Sequence, residues 1–377
     1  MFQKSTMNSN KKVFYISDFS LPNMSAYTLH VLKMCDAFSE TDHSVKLLIP
    51  YISKDYFLER IREDYLLKSF FEIKGFFKSK IKRNFLTLLL FSYRLIKFFK
   101  INQSPHLIIS RSVIPALLLS IFGEKILLEI HTEPRGLTKI FFFILKILNF
   151  NKNLKFILIH KNLNKKLKLK NKSFITLDDC VDLRDFKRKD EKTNSCVYTG
   201  SFVKGKGVET IINIASKLPK INFILYGNIK TLNENLYKDI LKKKNIILND
   251  FVTYKKITKI LPENKILLMP YEKKVGVLID NLDVSDYISP LKLFDYLASG
   301  SVIIASKKDA YSHILKDRYN CFLADTSDPI EWVNIINTAI SETEMVKKIQ
   351  KNSIESVKIY SWLNRVKKIV HFYNFSQ

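Results

Sequence analysis

The sequence predicts an α/β protein built from two parallel-sheet domains, and three observations carry that expectation. Apolar runs of strand length alternate with helical runs through both halves of the chain. Its 377 residues exceed one ordinary core of about 100 to 150 residues. A hydrophobic content of 46% is ample for two such cores. Strands are read at 12–17, 45–49, 107–109, 126–130 and 156–159 in the first half. In the second half they are read at residue 197 and at 223–226, 246–248, 266–269 and 302–305. Parallel neighbours need a crossover connection, so strands separated by helical runs imply βαβ units. The charged stretch 185–195 reads as the linker, and no internal repeat recurs at a fixed period.

Two segments carry chemistry. Residues 197–208 read Val-Tyr-Thr-Gly-Ser-Phe-Val-Lys-Gly-Lys-Gly-Val, a short strand opening into a loop with Gly200, Gly205 and Gly207, three of the nine glycines, and Lys204 and Lys206. Glycine lets backbone approach a ligand closely, and exposed N–H groups with lysines neutralise phosphate oxygens. A basic surface turn would have the same composition, so a second segment is needed to decide. It is Ser289-Pro290-Leu291-Lys292, continuing as Leu-Phe-Asp-Tyr-Leu-Ala-Ser-Gly to Gly300, after the strand at 266–269 and a loop with Asp280, Asp283 and Asp286. Ser-Pro opens a helix, Leu291, Phe294 and Leu297 repeat at helical spacing, and Gly300 stops it. The N-terminal N–H groups and Lys292 suit an anion, while Asp295, one turn on, can accept hydrogen bonds from a ribose diol. A nucleoside diphosphate is the simplest ligand with both groups.

The order of these motifs, with Leu225-Tyr226-Gly227-Asn228 between them, resembles the C-terminal half of family 4 (group 1) glycosyltransferases of the GT-B fold. The resemblance implies two Rossmann-like domains facing each other across a cleft, with a C-terminal helix crossing back to the N-terminal domain. The domains would be 1–187 with 358–377, for the acceptor, and 195–357, for the nucleotide-sugar donor. It also implies that Gly200, Ser201, Lys204, Gly205, Lys206 and Gly227 surround the donor diphosphate. Ser289, Pro290, Leu291 and Lys292 would close over it, and Asp295 would bind ribose. Tyr226, Asn228 and Val252 would line the base. The chain departs from the family pattern in four places. Ser201 stands where arginine is common, with Lys204 as substitute. Tyr287 replaces the first of two acids spaced eight apart, leaving Asp283 or Asp286 nearby. Asp295 stands for glutamate, and the loop 18–25 lacks glycine.

The N-terminal half should present its own group to the sugar. His131 ends the strand 126–130, where open α/β sheets place ligands, and the resemblance gives a histidine there a catalytic part beside Lys206 and Asp295. Arg111 has a similar position after the strand at 107–109, and Glu129 in mid-strand reads as structural. The implied reaction transfers a sugar from a nucleoside diphosphate to a hydroxyl acceptor with retention, and the lysines stabilise charge on the leaving phosphate. No paired acid and base of hydrolase type is assignable. No metal site and no cofactor beyond the donor substrate are expected; Asp178, Asp179 and Asp280 read as turn residues.

Charge is the chain's other message. Of the formal net +26, residues 1–190 carry +17 and the remainder +9. Between Leu66 and Ile101 aromatics interleave with cations, the composition of helices that lie on anionic lipid. Core packing of the same phenylalanines is the plain alternative. The apolar runs 112–122 and 136–150 are too short or too interrupted to span a bilayer, which takes about 20 residues. Residues 1–10 lack the apolar region of a signal peptide. The expected location is cytoplasmic, peripheral on the inner face of the membrane, with a lipid-linked bacterial surface glycan as product. Cys35, Cys180, Cys196 and Cys321 form no Cys-X-X-Cys pair, so zinc and disulfides lose support. Nucleic-acid binding would explain the charge alone, and a different GT-B enzyme, such as a nucleotide-sugar epimerase, would need further acid and base groups.

Overall fold

Alternating apolar and helical runs become alternating strands and helices in the computed structural model, which describes residues 11–102, 105–147, 153–276, 282–341 and 343–374. The chain divides into two compact units, Met1–Asp178 with Trp362–Gln377, and Asp179–Ser361. The first ten residues and Asp280, on which expectations were placed, lie outside the described residues.

Unit 1 runs β1 (Lys12–Ile16), β2 (Ser20–Leu21), α1 (Ala26–Glu40), β3 (Ser44–Ile49), β4 (Tyr51–Ile52), α2 (Leu58–Tyr65), β5 (Glu72–Gly75), α3 (Phe85–Ile101) and β6 (Leu107–Ser110). It continues with α4 (Val113–Ile121), β7 (Ile126–Ile130), α5 (Gly136–Ile147), β8 (Leu154–Leu158), α6 (Leu163–Leu167) and β9 (Phe174–Thr176). Its sheet has the order β5-β3-β1-β6-β7-β8-β9 and is parallel throughout. Every residue of β6 and β7 is buried, which is why these strands read as mainly apolar runs, Ser110 and Glu129 being the exceptions.

The segment 66–101 departs from the helical expectation. Its first half contains β5, which pairs with β3, and Lys46 meets Glu72 across that pair at 2.8 Å. Helix begins only at a capping box, where Asn84 Oδ1 accepts from Thr87 N at 2.9 Å and Thr87 Oγ1 from Asn84 N at 3.0 Å. Phe91, Leu95, Phe98 and Phe99 of α3 are buried; Phe99 packs edgewise on Phe14 and on Phe98, and Phe98 lies tilted against Phe14. Much of the aromatic content thus fills the core. Leu86, Leu90, Tyr93 and Ile101 form the exposed stripe of the same helix.

Unit 2 runs β10 (Thr193–Thr199), α7 (Val208–Lys217), β11 (Asn222–Tyr226), α8 (Glu234–Leu241), β12 (Ile246–Asn249), α9 (Tyr254–Glu263) and β13 (Asn264–Met269). Then follow α10 (Leu291–Ser299), β14 (Val302–Ser306), β15 (Phe322–Ala324), α11 (Pro329–Ile340) and α12 (Glu344–Val357); α13 (Trp362–Asn374) returns to unit 1. The sheet order is β12-β11-β10-β13-β14-β15, again parallel. The division falls at Asp178–Asp179, ahead of the stretch 185–195. That stretch is held within unit 2: Lys189 pairs with Glu263 at 2.7 Å, and Lys192 Nζ donates to the Pro262 carbonyl at 2.7 Å.

Strand order locates the crevices. In unit 1 the chain moves outward from β1 through β3 to β5 and then returns to the other side of β1 as β6. In unit 2 it moves from β10 to β12 and returns beside β10 as β13. Ligands of open α/β sheets bind at the carboxyl ends of strands flanking such a reversal. For unit 2 these are Thr199–Gly200 and Met269–Pro270, and for unit 1 Ser17–Asp18 and Ser110–Arg111.

Candidate active site

At the unit 2 reversal the loop after β10 is held by backbone bonds. Gly200 N donates to the Tyr226 carbonyl at 2.9 Å, Glu272 N to the Gly205 carbonyl at 3.1 Å, and Gly276 N to the Lys204 carbonyl at 3.1 Å. Glycine is required for two separate reasons. Gly205 has φ +83°, and a Cβ there would stand 2.1 Å from the Lys274 carbonyl oxygen. Gly227 would carry its Cβ 2.1 Å from the Gly200 carbonyl oxygen. We expect Gly205→Ala to cost about 1–3 kcal/mol or more from strain and clash together. Gly123→Ala, at φ +96° with nothing within 4 Å, isolates the strain. Equal losses in the two variants, measured by denaturant unfolding, would remove the close approach from the account.

The lysines converge on one tyrosine. Lys206 Nζ lies 4.8 Å and Lys292 Nζ 5.3 Å from the centroid of the Tyr271 ring, and Lys292 Nζ also lies 3.9 Å from the Tyr198 ring. A Cβ on Gly200 would be 2.7 Å from Lys292 Nζ, which puts the ammonium directly over the loop. Among the described residues, the buried Lys292 Nζ has no hydrogen-bond partner. Burial, and secondarily Lys206, push its pKa well down; burial alone brings Lys206 to about 8. Two lysine amines placed side by side, with no counter-charge among the described residues, favour an anion between them, which would raise both pKa values.

The remaining expected residues have local partners of their own. Pro290 is the N-cap of α10 rather than its first helical residue, Leu291 packs inward, and Gly300 ends the helix at φ +67°. Ser289 Oγ accepts from Asp179 N at 3.2 Å, so Ser289 fastens the start of unit 2 to the turn before α10. Asp295 is buried and accepts the Tyr254 hydroxyl at 3.1 Å. Lys204 is exposed and Ser201 half-buried. Asp283 is committed to its own loop, accepting from Val275 N and Ser285 N at 3.0 Å each. Asn228 Oδ1 caps the turn after β11 by accepting from Lys230 N at 3.0 Å.

Unit 1 places His131 at the end of β7, where its Nε2 is 2.9 Å from Glu129 Oε1. Glu129, read from sequence as structural, is the hub of a buried cluster. Its Oε1 also lies 2.8 Å from His30 Nε2 and accepts from Arg365 of α13 at 2.6 Å, while its Oε2 accepts the Tyr15 hydroxyl at 2.5 Å. Burial would raise this carboxyl, but the charges of His30 and Arg365 and the hydrogen bond from His131 outweigh it and hold the group well below the usual carboxylate range. Burial first, then Arg111, lowers His131 to about 3, so the imidazole is neutral near pH 7. His30, Glu129 and His131 are also the one metal-type cluster found among the described residues; the guanidinium of Arg365 already supplies the cation on that carboxylate. At the unit 1 reversal Asp18 accepts from Tyr27, Ser112 and Arg83 at 2.9–3.0 Å, and the Arg111 guanidinium lies 4.3 Å from the Tyr27 ring centroid.

Tyr198, Tyr271, Tyr254 and Arg365 were missed by the sequence reading. Tyr271 had a usable signal, two residues beyond a reversal strand. Arg365 had none, being 236 residues from its partner.

Residues 182–356 match the family described as "Glycosyl transferases group 1", a span that covers nearly all of unit 2. Unit 2 is similar to the glycosyl transferases group 1 family. The whole chain also superposes on solved GT-B glycosyltransferase structures, which shows the fold. Sucrose-phosphate synthase from Thermosynechococcus elongatus aligns at TM-score 0.73 and 13% identity over 97% of this chain and 98% of its own. HepE of Anabaena, solved with UDP and glucose, aligns at 0.70 and 11% over 96% and 99%. WaaG, a glycosyltransferase of lipopolysaccharide biosynthesis, aligns at 0.64 and 10% over 95% and 99%. Comparison of the sequence with curated proteins finds no match. The group 1 signature thus rests on the half of the chain that carries the glycine loop and the paired lysines. Cys35, Cys180, Cys196 and Cys321 are all buried.

Proposed function

We propose that the protein transfers a sugar from a nucleoside diphosphate sugar to a hydroxyl acceptor, with the donor diphosphate held by the glycine loop, Lys206 and Lys292 of unit 2. The observation that carries this reading is the buried Lys292 amine, without a hydrogen-bond partner among the described residues, beside Lys206 over Tyr271. As the glycosidic C–O bond breaks, negative charge grows on the β-phosphate, and preplaced cations in a poorly solvated site stabilise it strongly. These lysines, rather than a metal ion, supply the charge in this reading. Lys204 stands in for the arginine common in the family. Asp295, steadied by Tyr254, accepts from the ribose, and His131 faces the sugar from unit 1. The motifs fit family 4, whose members retain anomeric configuration, and the bound UDP and glucose of HepE agree with such a donor.

The test is a thermal-shift screen against UDP, GDP, CDP and their sugars, with a short DNA duplex as the competing ligand. One nucleotide should stabilise the protein and name the base. Duplex binding without nucleotide binding would end the transferase reading. Proton linkage gives a second check. An anion raises both lysine pKa values, so above about pH 8, where free Lys206 has lost much of its charge, binding takes up protons and weakens as pH rises. Calorimetry in buffers of different ionisation enthalpy should show net uptake near pH 8; none there would place the lysines away from the phosphates.

A lipid-linked glycan product at an anionic inner membrane face is the finer part of the proposal. It rests on exposed Leu86, Leu90, Tyr93 and Ile101 of α3 and Leu137, Ile140 and Ile144 of α5, bordered by exposed Lys97, Lys100 and Lys139. Apolar stripes edged with lysine bind anionic interfaces. No helix among the described residues is long and apolar enough to cross a membrane. Co-sedimentation with phosphatidylglycerol vesicles but not with phosphatidylcholine vesicles is expected, and equal sedimentation with neither would remove this part.

A further inference from the structure

We propose that Glu129 is a positioning residue that fixes His131 in the Nε2–H tautomer, and that Arg365 of the terminal helix keeps Glu129 in the acceptor state needed for this. The proposal rests on the reading of unit 1 as the half that faces the sugar, and it specifies the chemistry His131 offers there.

The geometry is restrictive. Glu129 side-chain oxygens are wholly enclosed, and every group that meets them is a donor or a cation: Tyr15 from β1, His30 from α1, His131 from its own strand and Arg365 from α13. Arg111, after β6, acts on the imidazole from the remaining side. A carboxylate can only accept, so the His131 nitrogen facing it must carry the proton. The proton then sits on Nε2 and the lone pair on Nδ1. His30 packs edgewise on His131 with ring centroids 4.7 Å apart, and Trp362 of α13 packs edgewise on His30 at 5.1 Å, so the ring is held in plane and cannot flip freely.

Arg365 is what makes the carboxylate a dependable acceptor. A protonated Glu129 could donate instead, and the tautomer would invert. The guanidinium opposes that by pairing at 2.6 Å, and it is itself anchored on the carbonyls of Leu177 and Asp178. A neutral imidazole with Nδ1 as acceptor takes a hydrogen bond from a hydroxyl and disfavours a phosphate or carboxylate. His131 is therefore set to receive a sugar hydroxyl, while the anionic part of the donor is left to the lysines of unit 2.

The experiment uses the full chain labelled with 15N-histidine and long-range 1H–15N correlation spectra near neutral pH, with His131→Ala assigning the signals. Wild type should show protonated Nε2 and unprotonated Nδ1. Glu129→Gln, whose amide can donate or accept, should mix or invert that pattern. It should also lower kcat about 10- to 100-fold, the usual effect of losing an outer partner that orients a histidine ring, with KM for the nucleotide sugar within about twofold. Should Glu129→Gln fail to fold, Arg365→Lys serves instead, and it should keep the wild-type pattern because the cation remains. A protonated Nδ1 in wild type, or an unchanged pattern in folded Glu129→Gln, overturns the proposal. Wild-type turnover by His131→Ala with the expected tautomer pattern would uphold the positioning and refute the sugar-facing reading beneath it.

Discussion

Lys292→Met should reduce kcat by about 100- to 1000-fold, the effect of removing one preplaced donor from a developing oxyanion, and should at the same time raise the thermal midpoint of the ligand-free protein. The two changes have opposite signs because Lys292 Nζ is buried without a hydrogen-bond partner among the described residues, beside a second lysine. An orphaned buried polar group costs about 1–3 kcal/mol, and methionine fills nearly the same volume without it. For a unit of this size each kcal/mol moves the midpoint by about 2–4 °C. Lys206→Ala should lose turnover similarly and should abolish stabilisation by the nucleotide, with less gain in intrinsic stability. Turnover and scanning calorimetry on the two variants decide the matter. A Lys292→Met protein that melts lower and turns over normally would make Lys292 a core residue, and the anion site would then have to be sought elsewhere.

Arg365→Met should be the most destabilising single change in unit 1. The guanidinium and Glu129 are both almost wholly buried, and breaking a buried pair by removing one partner costs about 3–5 kcal/mol, since the other charge is left uncompensated. His30 and Tyr15 remain on the carboxylate, yet neither is a permanent cation. Adding Glu129→Gln should recover part of the loss, because the charge that had been stranded is gone. The two tryptophans make the experiment clean: Trp332 lies in unit 2 and Trp362 in unit 1. In a Trp332→Phe background, fluorescence reports only Trp362, which packs on His30 within the same cluster. A loss below about 1 kcal/mol, or a double variant no more stable than Arg365→Met alone, would show that the cluster is not held by its charges.

The architecture was legible because its signals are local. A strand buried on both faces is mainly apolar, and a parallel neighbour must be reached through a crossover, so β1, β3, β6, β7, β8 and β10 through β14 all stood out by composition. The strands that escaped are short: β5, β9 and β15 are sheet edges, and β2 and β4 pair only with each other. Only pairing with a neighbour distinguishes such segments from loop or amphipathic helix. That is why the first half of 66–101 read as helix: its alternating Phe, Lys and Glu fit either period until β3 supplied a partner. The loop 200–207 and the start of α10 were legible for a related reason. Close approach of one backbone segment to another demands glycine at fixed offsets, and those offsets lie within one loop and one turn.

The chain by itself determined two parallel-sheet units, the glycine loop, the helix opening at Ser289-Pro290 and the strand-end position of His131, all consequences of periodicity and backbone sterics acting over a few residues. Tertiary structure alone decided that Lys206 and Lys292 meet over Tyr271 and that Tyr254 holds Asp295. It also decided that Glu129, Tyr15, His30 and Arg365 close on one carboxylate. Those groupings depend on burial, which sets the worth of each charge, and burial is a property of residues brought together from distant parts of the chain.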